Sequence, residues 1–228
     1  MDTRFWGPSG WQLLHLIAFK SEHPERFLLG IKDILPCRFC RESTAQYTKE
    51  LPLRGDPGKW LYDLHNKINR KLRTQSQNDK KVIDPGPDPS FEEVKSKYEN
   101  FAPTEVPGRD FLFSIAANYP DNPEPEQMAT QRVFIKELSE VYPYEPFQAY
   151  LSKHPVALEN RRAYMKWMYG LLSDLSKKMG FAMPAYNSYS RRVLSFKGGC
   201  EKKKFKGKTC RKKMRGGKRK TSRLPLFR

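Results

Sequence analysis

Trp6-Gly7-Pro8-Ser9-Gly10-Trp11-Gln12-Leu13-Leu14-His15 stands close to the start of the chain, and its reading decides the fold. Trp11, Leu14, His15 and Ala18 fall at 3–4 spacing, the period of one buried helix face. Pro8 reads as a first-turn proline, where a missing N–H is tolerated. Working outward, the helical period continues. Pro24 can open a second helix whose apolar face is Phe27, Leu28, Ile31, Ile34 and Leu35. Pro36 starts a third, through Tyr47. A fourth runs from about Pro57 to Leu72, with Trp60, Leu61, Leu64, Ile68 and Leu72 inward. Ser90 and Glu93 form a capping-box pattern for a short fifth helix through Tyr98. The sequence thus predicts an all-α protein whose residues 1–102 form a four-helix bundle plus a short fifth helix.

Two further pieces of this region carry chemistry. Cys37-Arg38-Phe39-Cys40 follows Pro36, so both thiols fall in the first turn of a helix. Unpaired backbone N–H groups and the positive dipole end favour a thiolate there. A spacing of three brings the sulfurs together across one turn, so the pair can cycle between dithiol and disulfide. A CxxC alone is also compatible with two buried thiols or with half of a zinc site completed by Cys200 and Cys210. Zinc is disfavoured, because nine residues separate the latter two, and no metal site is expected. Two electrons leaving a dithiol need an acceptor that side chains do not supply. On the fourth helix His65 and Asn69 share a face with Asn66 beside them, and these groups can hydrogen-bond a polar heterocycle held inside a bundle. Trp11 and His15 would wall it. A lone inward His is more often a satisfied core residue; here it belongs to a pattern.

The order of these pieces, WGxxxWxxLH, then PCxxC, then HNxxN, resembles the Erv/Alr family of FAD-linked sulfhydryl oxidases, from roughly Phe5 to Tyr98. The resemblance implies FAD as cofactor, with Gly7, Pro8, Ser9, Trp11 and His15 in its first binding motif. His65, Asn66, Ile68, Asn69, Lys71 and Leu72 fall in the second, Ile68 replacing the usual Val. It implies that Cys40 is the flavin-proximal cysteine and that Cys37 exchanges with substrate. The reaction implied is oxidation of protein thiols to disulfides, with O2 reduced to H2O2. Lys20 stands where the family often has an aromatic, Arg73-Thr74 replaces the usual Gly-Lys, and a stapling cysteine pair is missing.

Beyond a linker at Pro103 to Pro107, residues 103–190 read as a second helical domain with a faint internal repeat. Leu112-Phe113-Ser114-Ile115-Ala116 aligns with Leu14 to Ala18 at an offset of 98, and Tyr142 to Phe147 aligns with Leu35 to Cys40 at an offset of 107. The second offset also relates Trp60 to Trp167, Leu64 to Leu171 and Lys71 to Lys178. In this register Cys37 and Cys40 become Tyr144 and Phe147. His65, Asn66 and Asn69 become Leu172, Ser173 and Ser176. The expectation is a degenerate, non-catalytic copy; the alternative is a chance match of two amphipathic regions. Family members often dimerise, so the copy could fill the partner's place as an intramolecular pseudo-dimer, with a true homodimer as the other option.

The 228 residues carry a net charge of +18, unevenly placed. From Arg191 to Arg228 there are 17 Lys/Arg against Glu201 alone, a net of +16 that leaves +2 for the rest. Such a block repels itself, and residues 191–228 are expected to be a flexible basic tail. It reads as a solubility or localisation segment, as a non-specific nucleic-acid contact, or as the carrier of a shuttle disulfide at Cys200 and Cys210. No run of eighteen apolar residues predicts a membrane span. The motif begins too early to leave room for a leader peptide. Cytoplasm is therefore the expected place, or a virion or viral factory if the chain belongs to the large DNA virus branch of the family. A different class, a nucleic-acid-binding or scaffold helical protein with a basic tail, is the alternative function.

Overall fold

Asp2 sets the first boundary: its side chain accepts from the Arg4 N–H and starts α1 (Thr3–Lys20). Pro8 therefore lies inside the helix rather than in its first turn, as the sequence reading had it. The helix starts early because Asp2 caps it and the buried Met1 is anchored, its ammonium donating to the Pro36 carbonyl at 2.9 Å. The cost is one intrahelical hydrogen bond, the one Pro8 cannot give to the Arg4 carbonyl.

In the computed structural model, which describes residues 1–80 and 82–198, the described residues are helical with no strand. α2 (Glu25–Ile34) follows Pro24, and α3 (Arg38–Glu50) is capped by Cys37 itself. α4 (Pro57–Asn78) begins with Asp56 as cap and a proline in the first turn, and continues six residues past the expected Leu72. Its polar last turns show no apolar period, which is why periodicity ended it early. α5 (Phe91–Glu99) has the full reciprocal capping box of Ser90 and Glu93.

The second region contributes α6 (Arg109–Asn118), α7 (Pro125–Val141), α8 (Gln148–Lys153), α9 (Arg161–Lys178) and α10 (Tyr186–Leu194). The helical region thus runs four residues past 190, because Val193 is buried and Phe196 stacks on Phe5 with ring centroids 4.4 Å apart. Cys200 and Cys210 lie outside the described residues. No helix of the described residues is long and apolar enough to cross a membrane.

Some of the packing recurs in the two halves. α1 packs on α4 and α5, and α6 packs on α9 and α10. Trp60 Nε1 donates to the carbonyl of Leu51, the residue that caps α3; Trp167 Nε1 donates to that of His154, which caps α8. Between the two halves α1 lies on α6 and α2 on α7. Two glycines permit the close approach. A Cβ at Gly108, whose φ is +79°, would stand 2.5 Å from Leu13 Cδ2, and one at Gly10 would stand 3.2 Å from the Phe111 ring. Phe27 meets Phe134 at 5.7 Å, and Arg26 pairs with the buried Glu137 beside them. One continuous hydrophobic core runs through both halves.

Candidate active site

Cys37 and Cys40 are thiols here, not a disulfide. As the helix cap, Cys37 accepts a hydrogen bond from the Cys40 backbone N–H at 3.4 Å. Its pKa is brought down to about 7, chiefly by a hydrogen bond from the Cys40 thiol, with help from backbone N–H groups and the N-terminal ammonium and against the effect of burial. Cys40 moves the other way: it gives its proton to the shared hydrogen bond, and burial also opposes its charge. The sequence reading placed both cysteines in the favourable first turn. The structure separates them into one thiolate-prone sulfur and one proton donor. Cys37 is 2% exposed, whereas Cys40 is partly open.

A second cluster lies between α1, α4 and α5. Trp11 stacks on His65 with centroids 3.7 Å apart and planes 10° apart. His15 Nε2 and His65 Nδ1 are 3.1 Å apart. His65, Asn66 and Asn69 are all buried. His15 Nδ1 is buried with no hydrogen-bond partner, as is the Trp6 indole N–H. Lys71 Nζ donates to Ser43 Oγ at 2.7 Å, tying α4 to the turn of α3 that follows Cys40, and its charge acts on Cys40. The structure thus packs Trp11 and His15 against His65, and buries Asn66 and Asn69 on the same helix, α4; Lys71, also on α4, reaches toward α3 and Cys40. Gly7 and Pro8 are partly exposed on α1, and Ile68 and Leu72 are partly buried on α4, Ile68 against the core. Ser9 turns away, its Oγ accepting from the Phe111 N–H across the seam at 3.3 Å.

Sequence reasoning missed two neighbours of this cluster. Tyr98 stacks on His15 at 4.8 Å. Asp88 accepts from Asn69 Nδ2 at 2.9 Å and pairs with Arg73 through both carboxylate oxygens. Arg73 had stood only as a departure from the motif; its Asp88 partner was the missing signal, hidden in a proline-rich loop. Lys20, at a usual aromatic position, donates instead to the Glu99 carbonyl.

The two imidazoles are held neutral. Burial, then the charge of Lys97, lowers His15 from 6.5 to about 3; burial, then His15, lowers His65 as well. Unfolded histidines bind protons that these refuse, so their stabilising contribution is complete above 6.5 and is lost as the pH falls toward 3. The melting temperature of the flavin-free protein should fall across that window. His15→Phe, copying Phe113, should flatten the profile; superimposable profiles would contradict the assignment.

At the positions that the offsets relate to His15, Cys40 and His65 the second half carries Phe113, Phe147 and Leu172. Phe113 packs on Tyr189 at 4.7 Å, much as His15 stacks on Tyr98, and Phe147, Leu172 and Ser176 are buried. Among the described residues no group of three or more His, Cys, Asp or Glu side chains could hold a metal ion.

Residues 8–85 match the model of the Erv1/Alr family. The mitochondrial FAD-linked sulfhydryl oxidase ERV1 of Saccharomyces cerevisiae is 31% identical over 87 residues, 32% of this chain and 45% of that protein. The chain thus spans less than half the length of this curated relative. No solved structure matches. The motifs, the bundle and the family match converge on the same segment: the N-terminal half of this chain contains an Erv1/Alr family domain.

Proposed function

We propose that this chain is an FAD-dependent thiol oxidase that makes disulfide bonds in protein substrates and reduces O2 to H2O2. One observation carries the reading: a cysteine pair whose Cys37 is acidified opens α3, and α3 is tied through Ser43 and Lys71 to α4, the helix that carries the buried His65, Asn66 and Asn69 beside His15 and its partnerless ring nitrogen. The donor set suits a flavin. His15, His65, Asn66 and Asn69 offer hydrogen bonds to a polar heterocycle, Trp11 offers a stacking face, and Lys71 offers a positive charge.

In the oxidised pair a substrate thiolate attacks Cys37 Sγ and expels the Cys40 thiolate, leaving a mixed disulfide. The second substrate thiolate attacks the substrate sulfur and expels Cys37, whose low pKa makes it a good leaving group. Substrate leaves as a disulfide and the enzyme is left as a dithiol. A flavin bound by His15, His65, Asn66, Asn69 and Trp11 would supply the two-electron acceptor needed for the Cys37–Cys40 disulfide to re-form, with O2 as the final acceptor. Lys71 favours the Cys40 thiolate for that step, and the aromatic walls keep water from the reacting groups.

The second half serves as a degenerate partner bundle. The meeting of α1 with α6 and of α2 with α7 supports this, because corresponding helices meet in a two-fold pairing. Cys200 and Cys210 are proposed as a shuttle pair. The described chain passes Phe196, whose carbonyl accepts from the Asp2 N–H at 3.0 Å, only four residues before Cys200. The basic tail remains a candidate nucleic-acid contact.

The test is a spectrum. Protein purified with FAD present should be yellow, bind one FAD per chain, and consume O2 with dithiothreitol. Protein that stays colourless after FAD addition would end the enzyme reading and favour the scaffold alternative.

A further inference from the structure

The sulfur assigned to exchange with substrate is buried, and both ends of the described chain come close to it. Cys37 is 2% exposed, and beside it Met1 and Asp2 are buried too, at 0% and 2%. Met1 is anchored by its ammonium on the Pro36 carbonyl at 2.9 Å, and that ammonium is close enough to help lower the Cys37 pKa. The next residue is held too: the Asp2 N–H donates to the Phe196 carbonyl at 3.0 Å. These two hydrogen bonds and the single residue between them place the Phe196 and Pro36 carbonyls at most about 10 Å apart.

The segment after α10 is itself pinned to α1. The Phe196 and Phe5 rings stack at 4.4 Å with planes 12° apart, and the Arg192 guanidinium lies 5.6 Å from the Phe5 ring centre. Lys197 Nζ donates to the Ala117 carbonyl at 3.2 Å. A turn supplied by the second half thus lies against the first residues of the half that carries Cys37.

We propose that residues 1–5 and 194–197 form a clasp over Cys37, and that Phe196 is the residue that sets which thiols reach its sulfur. Residues 1 and 2 are buried, but the 194–197 side of the clasp is held by one partly buried stacked pair and a few hydrogen bonds, so that side opens locally without unfolding either bundle. A small dithiol needs a brief, narrow opening. A cysteine held on a folded protein needs the turn displaced, because its own backbone must come within bonding distance of Cys37 Sγ. The clasp thereby makes the second half part of substrate selection. This deepens the oxidase reading above and rests on it for the identity of the attacking thiol, but the covering of Cys37 is a separate claim.

The experiment uses the full, reduced chain and reads alkylation of each cysteine by iodoacetamide, peptide by peptide, at a pH where Cys37 is a thiolate. Wild type should alkylate Cys37 more slowly than a small thiol of the same pKa. Phe196→Ala should speed Cys37 roughly tenfold, the effect expected for losing a stacked aromatic pair, and should change Cys40 less than twofold. Phe196→Tyr, which keeps the stack, should restore the wild-type rate. Arg192→Ala, a surface change, should move Cys37 in the same direction by about two- to threefold, and supports the reading even if Phe196→Ala lowers the melting temperature. With FAD bound, Phe196→Ala should raise kcat/KM for a reduced folded protein relative to dithiothreitol. The clasp is overturned if wild-type Cys37 reacts as fast as an open thiol, if neither variant changes its rate, or if Cys40 accelerates equally. Alkylation needs no flavin and no turnover. A failure of oxidation with the alkylation pattern intact would therefore sink the oxidase and leave the clasp standing.

Discussion

Cys40→Ser and Cys37→Ser should each lower O2 consumption with dithiothreitol by a thousandfold or more, on the order seen when one member of a catalytic unit is removed. Both variants should stay yellow, since the stacked ring cluster that would hold flavin contains neither sulfur. Beyond the shared loss they should differ. In Cys40→Ser no Cys37–Cys40 disulfide can form, so a substrate thiolate finds nothing to attack and Cys37 should stay an alkylatable thiol throughout incubation with dithiothreitol. In Cys37→Ser the largest cause raising Cys40, its hydrogen bond to Cys37, is gone. The alkylation pKa of Cys40 should then drop relative to wild type. Changing Cys200 and Cys210 together to Ser should leave dithiothreitol oxidation intact and slow only that of a folded protein dithiol. Wild-type turnover in both single variants would remove the CxxC from the reaction.

The readable parts of this molecule are those where chemistry and local structure coincide. Helix starts at Ser90 and Pro57 were legible because a cap or a first-turn proline has one meaning at a helix start. The cluster of Trp11, His15, His65 and Asn69 was legible because two helix faces each carried unusual groups at 3–4 spacing. What stayed hidden depends on tertiary contact. The start of α1 depends on Met1 being anchored at Pro36, a contact between residues 35 apart. Asp88 and Arg73 find each other across a loop with no period. The different fates of Cys37 and Cys40 follow from one being the cap and the other lying one turn in, a shift of register that composition does not encode. The clasp joins residues almost two hundred positions apart, beyond the reach of any motif.

The seam between the halves should govern the stability of both. Phe27 is 1% exposed and meets Phe134, itself 5% exposed, where α2 lies on α7. Phe27→Ala removes a full ring from a packed core, a change that costs about 3–5 kcal/mol and should lower the melting temperature by about 10 °C in a chain of this size. If the halves form one cooperative unit, flavin release from the first and loss of amide protection along α9 in the second should shift together. Independent halves would give two transitions, with α9 unmoved. A fragment ending near residue 104 makes the same point by subtraction. It keeps the thiols and the ring cluster but uncovers the faces of α1 and α2 that α6 and α7 occupy. Exposed apolar faces of that kind mark an association site, and the two-fold pattern of the seam means a second copy of the fragment can take the vacated place. The fragment should therefore dimerise through α1 and α2, and Phe27→Ala should weaken that dimer as it weakens the intact chain. A monomeric fragment as stable as the full protein would show that the second half supports nothing in the first.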